Sequence, residues 1–148
     1  ARFVTASVRV APLGDTEAVL CSSFDYLVRR IELTSGRVVK AFRREYERVK
    51  NQSPTSPQLY KLDIGGLLPI GDRLWVFTST SDATRGTLVD VFDRDGRYVD
   101  SFFLQAKDGD SAVPLSFAPK AASGRDLVIG HRKGTGFTIA KYTLPAGS

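Results

Sequence analysis

One short pattern occurs twice in this chain, and it limits the folds available more than any other feature. Arg30-Ile31-Glu32-Leu33-Thr34-Ser35-Gly36-Arg37 leads to Phe42, and Asp90-Val91-Phe92-Asp93-Arg94-Asp95-Gly96-Arg97 leads to Phe102. Gly96 follows Gly36 by 60 residues. Each copy is an apolar strand, a polar turn ending in Gly-Arg and a second strand ending in Phe. A unit this small cannot bury its own faces, so copies must stack on one another. Stacking constrains architecture and leaves activity open.

Along the whole chain, short apolar runs alternate with Gly, Asp, Ser and Pro, and no long segment shows helical spacing. The spacing predicts about eleven strands: 3–11, 16–22, 26–33, 37–44, 58–63, 73–80, 87–93, 97–104, 112–118, 126–131 and 137–144. Gly36, Gly96 and Gly134 are expected in tight hairpin turns, where glycine supplies a positive φ. Leu74-Trp75-Val76-Phe77 and Leu127-Val128-Ile129 are apolar on both faces, as expected of a sheet held between two other sheets. Grouped in fours, the strands form units at about 3–44, 58–104 and 112–144, the third one strand short. The fold class expected is all-β, a partial β-propeller built from four-stranded antiparallel blades, within one domain over 1–148. The polar stretch Glu45–Pro57 is the longest irregular connection.

Asp72-Arg73-Leu74-Trp75-Val76, followed by Val89-Asp90-Val91-Phe92-Asp93-Arg94-Asp95-Gly96-Arg97-Tyr98-Val99, resembles a blade of the bacterial six-bladed β-propellers related to the NHL-repeat group. The first unit is similar through Val28 to Phe42, and Phe42-Arg43-Arg44-Glu45-Tyr46-Glu47-Arg48-Val49 resembles an inter-blade segment. The resemblance brings no catalytic motif. Propellers close with four to eight blades, so three imply remaining blades elsewhere or a second copy. The chain has no Met and begins at Ala1, which is expected of a piece of a longer polypeptide or of a trimmed, exported protein.

The candidates for chemistry are few. His131 is the only histidine and Cys21 the only cysteine, so no disulfide can form within the chain and no soft-metal ligand set has recognisable spacing. Cys21 follows Ala18-Val19-Leu20 and is expected to be a buried structural thiol. Asp93-Arg94-Asp95-Gly96 has the opening spacing of a calcium loop but lacks its terminal ligands, which favours a hairpin turn. Lys107-Asp108-Gly109-Asp110 reads as an acidic connection between blades. Trp75, Phe77, Phe92, Phe102 and Phe103 are expected in the core, with Phe24, Tyr26 and Tyr46 nearer the surface. Asp25 and Asp63 could supply carboxylates near an inner strand.

The net charge is +5, with positive residues clustered at Arg29-Arg30, Arg132-Lys133 and, most densely, Arg43-Arg44 and Arg48 to Lys50. Glu45 and Glu47 interrupt that cluster, which argues against nucleic acid as a partner. No apolar run is long enough for a membrane-spanning helix. Concentrated catalytic chemistry is missing, so the sequence favours a non-catalytic module that binds a protein or small ligand. The ligand-binding candidates are Asp25, Asp63, His131, Arg43, Arg44 and Tyr46; no cofactor is implied. The alternatives are an enzyme whose central-channel site is completed by other blades, and nucleic-acid binding by a basic face.

Overall fold

The structure is a computed structural model that describes residues 8–145. Three antiparallel sheets follow one another along the chain, with no helix among the described residues. The first sheet contains β1 (Val8–Leu13), β2 (Glu17–Ser22), β3 (Val28–Glu32) and β4 (Val38–Phe42). The second contains β5 (Ile64–Ile70), β6 (Arg73–Asp82), β7 (Gly86–Asp93) and β8 (Tyr98–Leu104). A small hairpin, β9 (Ala106–Asp108) and β10 (Ser111–Val113), leads to a third sheet of β11 (Lys120–Ser123), β12 (Asp126–Lys133) and β13 (Gly136–Thr143). Within each sheet every strand pairs with the next in sequence. Across the sheets, β1 and β11 both lie against β5.

The second sheet is buried on both faces over β5, β6 and β7, while its last strand β8 is partly exposed. Leu74, Val76 and Phe92 pack against Val19, Cys21 and Val28 of the first sheet. Trp75, Phe77, Val89 and Val91 point the opposite way and pack against Leu115, Leu127 and Ile129. Strand alternation turns one continuous apolar run into two separate cores, so Leu74 to Phe77 needs no polar face. Cys21 lies in the first core, fully buried, and burial pushes its thiol up to about 12.

The repeated turns differ in their surroundings. Gly36 and Gly96 both have positive φ, at 69° and 82°. Space around Gly36 is open, whereas a Cβ on Gly96 would stand 2.5 Å from the ring of Phe42. The second copy of the repeat therefore rests its turn on the last residue of the first copy's fourth strand. Asp93 accepts the backbone N–H groups of Asp95 and Arg97, each at 2.9 Å, so its carboxylate closes the hairpin and makes no calcium loop.

Two predicted strands are displaced. Residues 58–63 are irregular apart from one bridge between Lys50 and Tyr60, and the strand forms at Ile64–Ile70 instead. Gly65 and Gly66 look like breakers in sequence, but they permit close approach: a Cβ on Gly65 would lie 1.9 Å from the carbonyl oxygen of Ser116. The predicted run 112–118 is cut by Pro114, so that β10 ends at Val113 and β11 begins only after Pro119. Residues 3–7 of the first predicted strand lie outside the described residues, and β1 continues to Leu13.

Both glycines occupy a backbone region that costs an L-residue about 1–2 kcal/mol, and only Gly96 has a neighbour in the way. Gly36→Ala should lower unfolding free energy by about that amount. Gly96→Ala should cost a further 1–3 kcal/mol, roughly, for overpacking against Phe42. Urea denaturation of the two variants checks the difference; equal losses would contradict the packing.

Candidate functional site

Beyond β4 the chain stays extended and crosses the seam between the first and second sheets. Its side chains alternate: Phe42, Arg44 and Tyr46 turn inward, while Arg43, Glu45 and Glu47 stay exposed. Each inward polar group finds a partner on the second sheet or the segment leading to it. Arg44 Nε donates to Asp90 Oδ2 at 2.7 Å. The Tyr46 hydroxyl bonds Thr80 Oγ1 at 2.8 Å. Arg48 Nε donates to Asp63 Oδ1 at 2.9 Å, and its guanidinium lies over the Tyr60 ring.

Asp90 is the centre of this clamp. It is wholly buried on the face of β7 that looks toward the first sheet. The Tyr26 hydroxyl donates to Oδ2 at 2.6 Å, and Ser101 Oγ donates to Oδ1. Arg44 supplies the opposite charge, and its guanidinium also lies near the rings of Tyr26 and Tyr46. Burial, followed by the charge of Asp90, pushes the Tyr26 phenol far above its ordinary range. Desolvation is the largest single influence on Arg44 and would lower it, but the bond to Asp90, the charge of that carboxylate and the contact with Tyr26 together exceed it and the net direction is upward. A buried carboxylate with this many donors is held in place rather than free to react.

Five of the six candidate residues come together here. Asp25, Arg43, Arg44, Tyr46 and Asp63 line one cleft of about 270 Å³. Arg44, Tyr46 and Asp63 spend their polar atoms on the clamp, whereas Asp25 and Arg43 are exposed at its mouth. Tyr26, expected near the surface, is buried because its hydroxyl satisfies Asp90. Asp90 escaped notice as a site residue because its repeat partner is Arg30, and its true partners lie 46 and 64 residues away.

His131 stands apart on β12. Its Nε2 is 3.8 Å from Asp108 Oδ2, and Lys133 approaches the same carboxylate to 2.9 Å. The acidic turn at Asp108 is the β9–β10 hairpin, with Gly109 at φ 61°. Among the described residues, no three His, Cys, Asp or Glu side chains are grouped so as to hold a metal ion. No helix among them is long and apolar enough to cross a membrane.

No protein-family model matches the chain, and neither does any curated protein or solved structure.

Lys120 is a further functional candidate that carries no signal in the sequence. Its ammonium is partly buried beside the Phe77 ring, and desolvation, with a smaller contribution from Arg9, lowers it from 10.5 to about 8. No hydrophobic run flags it, since the strand Lys120–Ser123 is short and small-sided.

Two measurements follow from these energetics. Asp90→Ala leaves Arg44 and Tyr26 without their partner and should cost about 3 kcal/mol or more in urea unfolding. Arg43→Ala should stay within about 0.5 kcal/mol of wild type. For Lys120, the folded state disfavours the charged form, so stability withheld below pH 8 returns as pH rises from about 8 through 10.5. Lys120→Met should therefore exceed wild type in stability at pH 7, with the gap closing by pH 10, about the ordinary lysine value. A gap unchanged between the two pH values would contradict this assignment.

Proposed function

We propose that this chain is a three-blade segment of a β-propeller that acts as a non-catalytic binding scaffold. The doubly buried second sheet carries the reading. It is packed face to face between two others, and the first strands of all three sheets meet around β5. Continued in the same sense, that arrangement turns into a ring of radially stacked sheets.

The two ends of the stack support it. Val8 and Val10 are exposed on the outer face of the first sheet. Phe137 and Ile139 are exposed on the outer face of the third, with the Phe137 ring close over Gly130. Apolar sheet faces left in water favour association. Further blades, from a longer polypeptide or a second copy, would cover them. The binding role rests on the chemistry of the seam, where Arg44, Arg48, Asp63 and Asp90 hold the blades together and the exposed Asp25, Arg43 and Glu45 remain for a protein or small ligand. Pairing of Arg44 and Arg48 with acids also removes them from phosphate contacts, which counts against the nucleic-acid alternative.

Light scattering coupled to size exclusion tests the ring. The chain should run above the mass of one copy, and Val10→Glu or Ile139→Glu should shift it toward that mass. A folded, stable wild-type monomer would overturn the reading. Elemental analysis tests the non-catalytic half: stoichiometric metal that disappears in Asp63→Asn or His131→Gln would point to the central-channel enzyme instead.

A further inference from the structure

We infer that the pocket where β1, β5 and residues 117–120 meet is an oxyanion site, holding a small phosphate or carboxylate between Arg9 and Lys120. The inference rests on the reading of the chain as a binding module, but not on closure of a ring.

The pocket has a volume of about 250 Å³, and its lining includes Arg9, Gly65, Gly66, Phe117, Pro119 and Lys120. No acidic side chain belongs to that lining. Lys120 Nζ donates to the Ser116 carbonyl at 3.1 Å and lies 4.6 Å from the centre of the Phe77 ring. An ammonium carries three N–H donors, so this leaves capacity for a ligand. Arg9 Nε is buried and has no hydrogen-bond partner among the described residues. Its guanidinium lies 5.8 Å from the Phe117 ring.

Other arginines in this protein settle their charge differently. Arg30, Arg44 and Arg48 each face a carboxylate within 2.9 Å. At the pocket two cations are brought together with no counter-charge among the described residues, and Arg9 makes the charged form of Lys120 more costly to bury. An anion with two or more oxygens removes that cost by accepting from both. The backbone leaves room beside it: a Cβ on Gly66 would stand 2.8 Å from Lys120 Nζ, and the flexible end of the lysine would have to shift to accommodate it. Glycine at this position keeps the cation's approach clear.

The site lies where the inner strands of all three sheets converge, away from the clamp at Asp90. Because the anion stabilises the charged ammonium, binding above pH 8 draws a proton onto Lys120.

Isothermal titration of the folded chain with inorganic phosphate and, separately, with succinate tests the site at constant ionic strength. One anion should bind per chain. Lys120→Met and Arg9→Met should each weaken it by roughly 30-fold or more, while Lys120→Arg retains it and Lys141→Met leaves it unchanged. At about pH 8.5, wild type should take up protons on binding and Lys120→Arg should not. Phosphate alone binding identifies a phosphate ligand, and succinate alone a carboxylate. Failure of both anions to bind, or equal binding by Lys120→Met, overturns the inference. Lys120→Met removes a buried charge and should remain folded, which far-ultraviolet circular dichroism verifies. Measuring mass in the same samples separates the two proposals: a monomer that binds anion keeps this site without the ring, and an assembly that binds neither keeps the ring without the site.

Discussion

Exclusion of water from both faces of the second sheet is the constraint from which the other features follow. A sheet with one wet face can let its polar side chains point outward, but β6 and β7 have no outward direction. Every polar group on them must find a partner within the protein, because an unpaired buried donor or acceptor costs far more than a satisfied one returns. Thr78 gives its hydroxyl to the Leu88 carbonyl. Asp90 gathers Tyr26, Ser101 and Arg44. The extended segment after β4 is thus fixed by a carboxylate that belongs to a different sheet, and the seam between the sheets becomes polar at its rim and apolar within.

The part of this organisation that is local was readable in the sequence. Hairpin turns at Gly36, Gly96 and Gly134 depend on a few adjacent residues, and all three have positive φ. The two-faced run Leu74–Phe77 announced a sheet covered on both sides, and the two cores confirm that placement. What depended on distant neighbours was not readable. Gly65-Gly66 resembled a break because nothing nearby shows that the backbone at Ser116 will press against it. Tyr26 looked like a surface aromatic until Asp90 is brought to its hydroxyl. The arginine-rich run was visible as charge, and its acidic partners were not, since they lie in other units of the chain.

That difference changes the meaning of the basic cluster. Judged by composition, Arg43, Arg44 and Arg48 form a patch suited to an anionic partner. In the fold Arg43 stays at the surface without an acidic partner among the described residues, while Arg44 and the still exposed Arg48 are paired with carboxylates that join two sheets. Positive charge available to a ligand is found instead at Arg9 and Lys120, two residues far apart in sequence that contribute nothing conspicuous to the charge pattern. Surface charge and usable charge are therefore different quantities in this protein, separated by which carboxylates the topology delivers.

The bridge between Lys50 and Tyr60 closes off residues 51–59, of which Asn51 and Ser56 alone are partly covered. Arg48 enters this loop and Asp63 leaves it, and the two are paired at 2.9 Å across its neck. Covalent continuity through the loop is accordingly redundant for the join between the first and second sheets, whose cores and ion pairs all lie outside it. Evolution or an engineer could lengthen, cleave or replace that loop, even insert a separate folded unit there, and the sheets would keep their mutual placement. The connection that looks most like a tether is the one part of the seam that bears no tension.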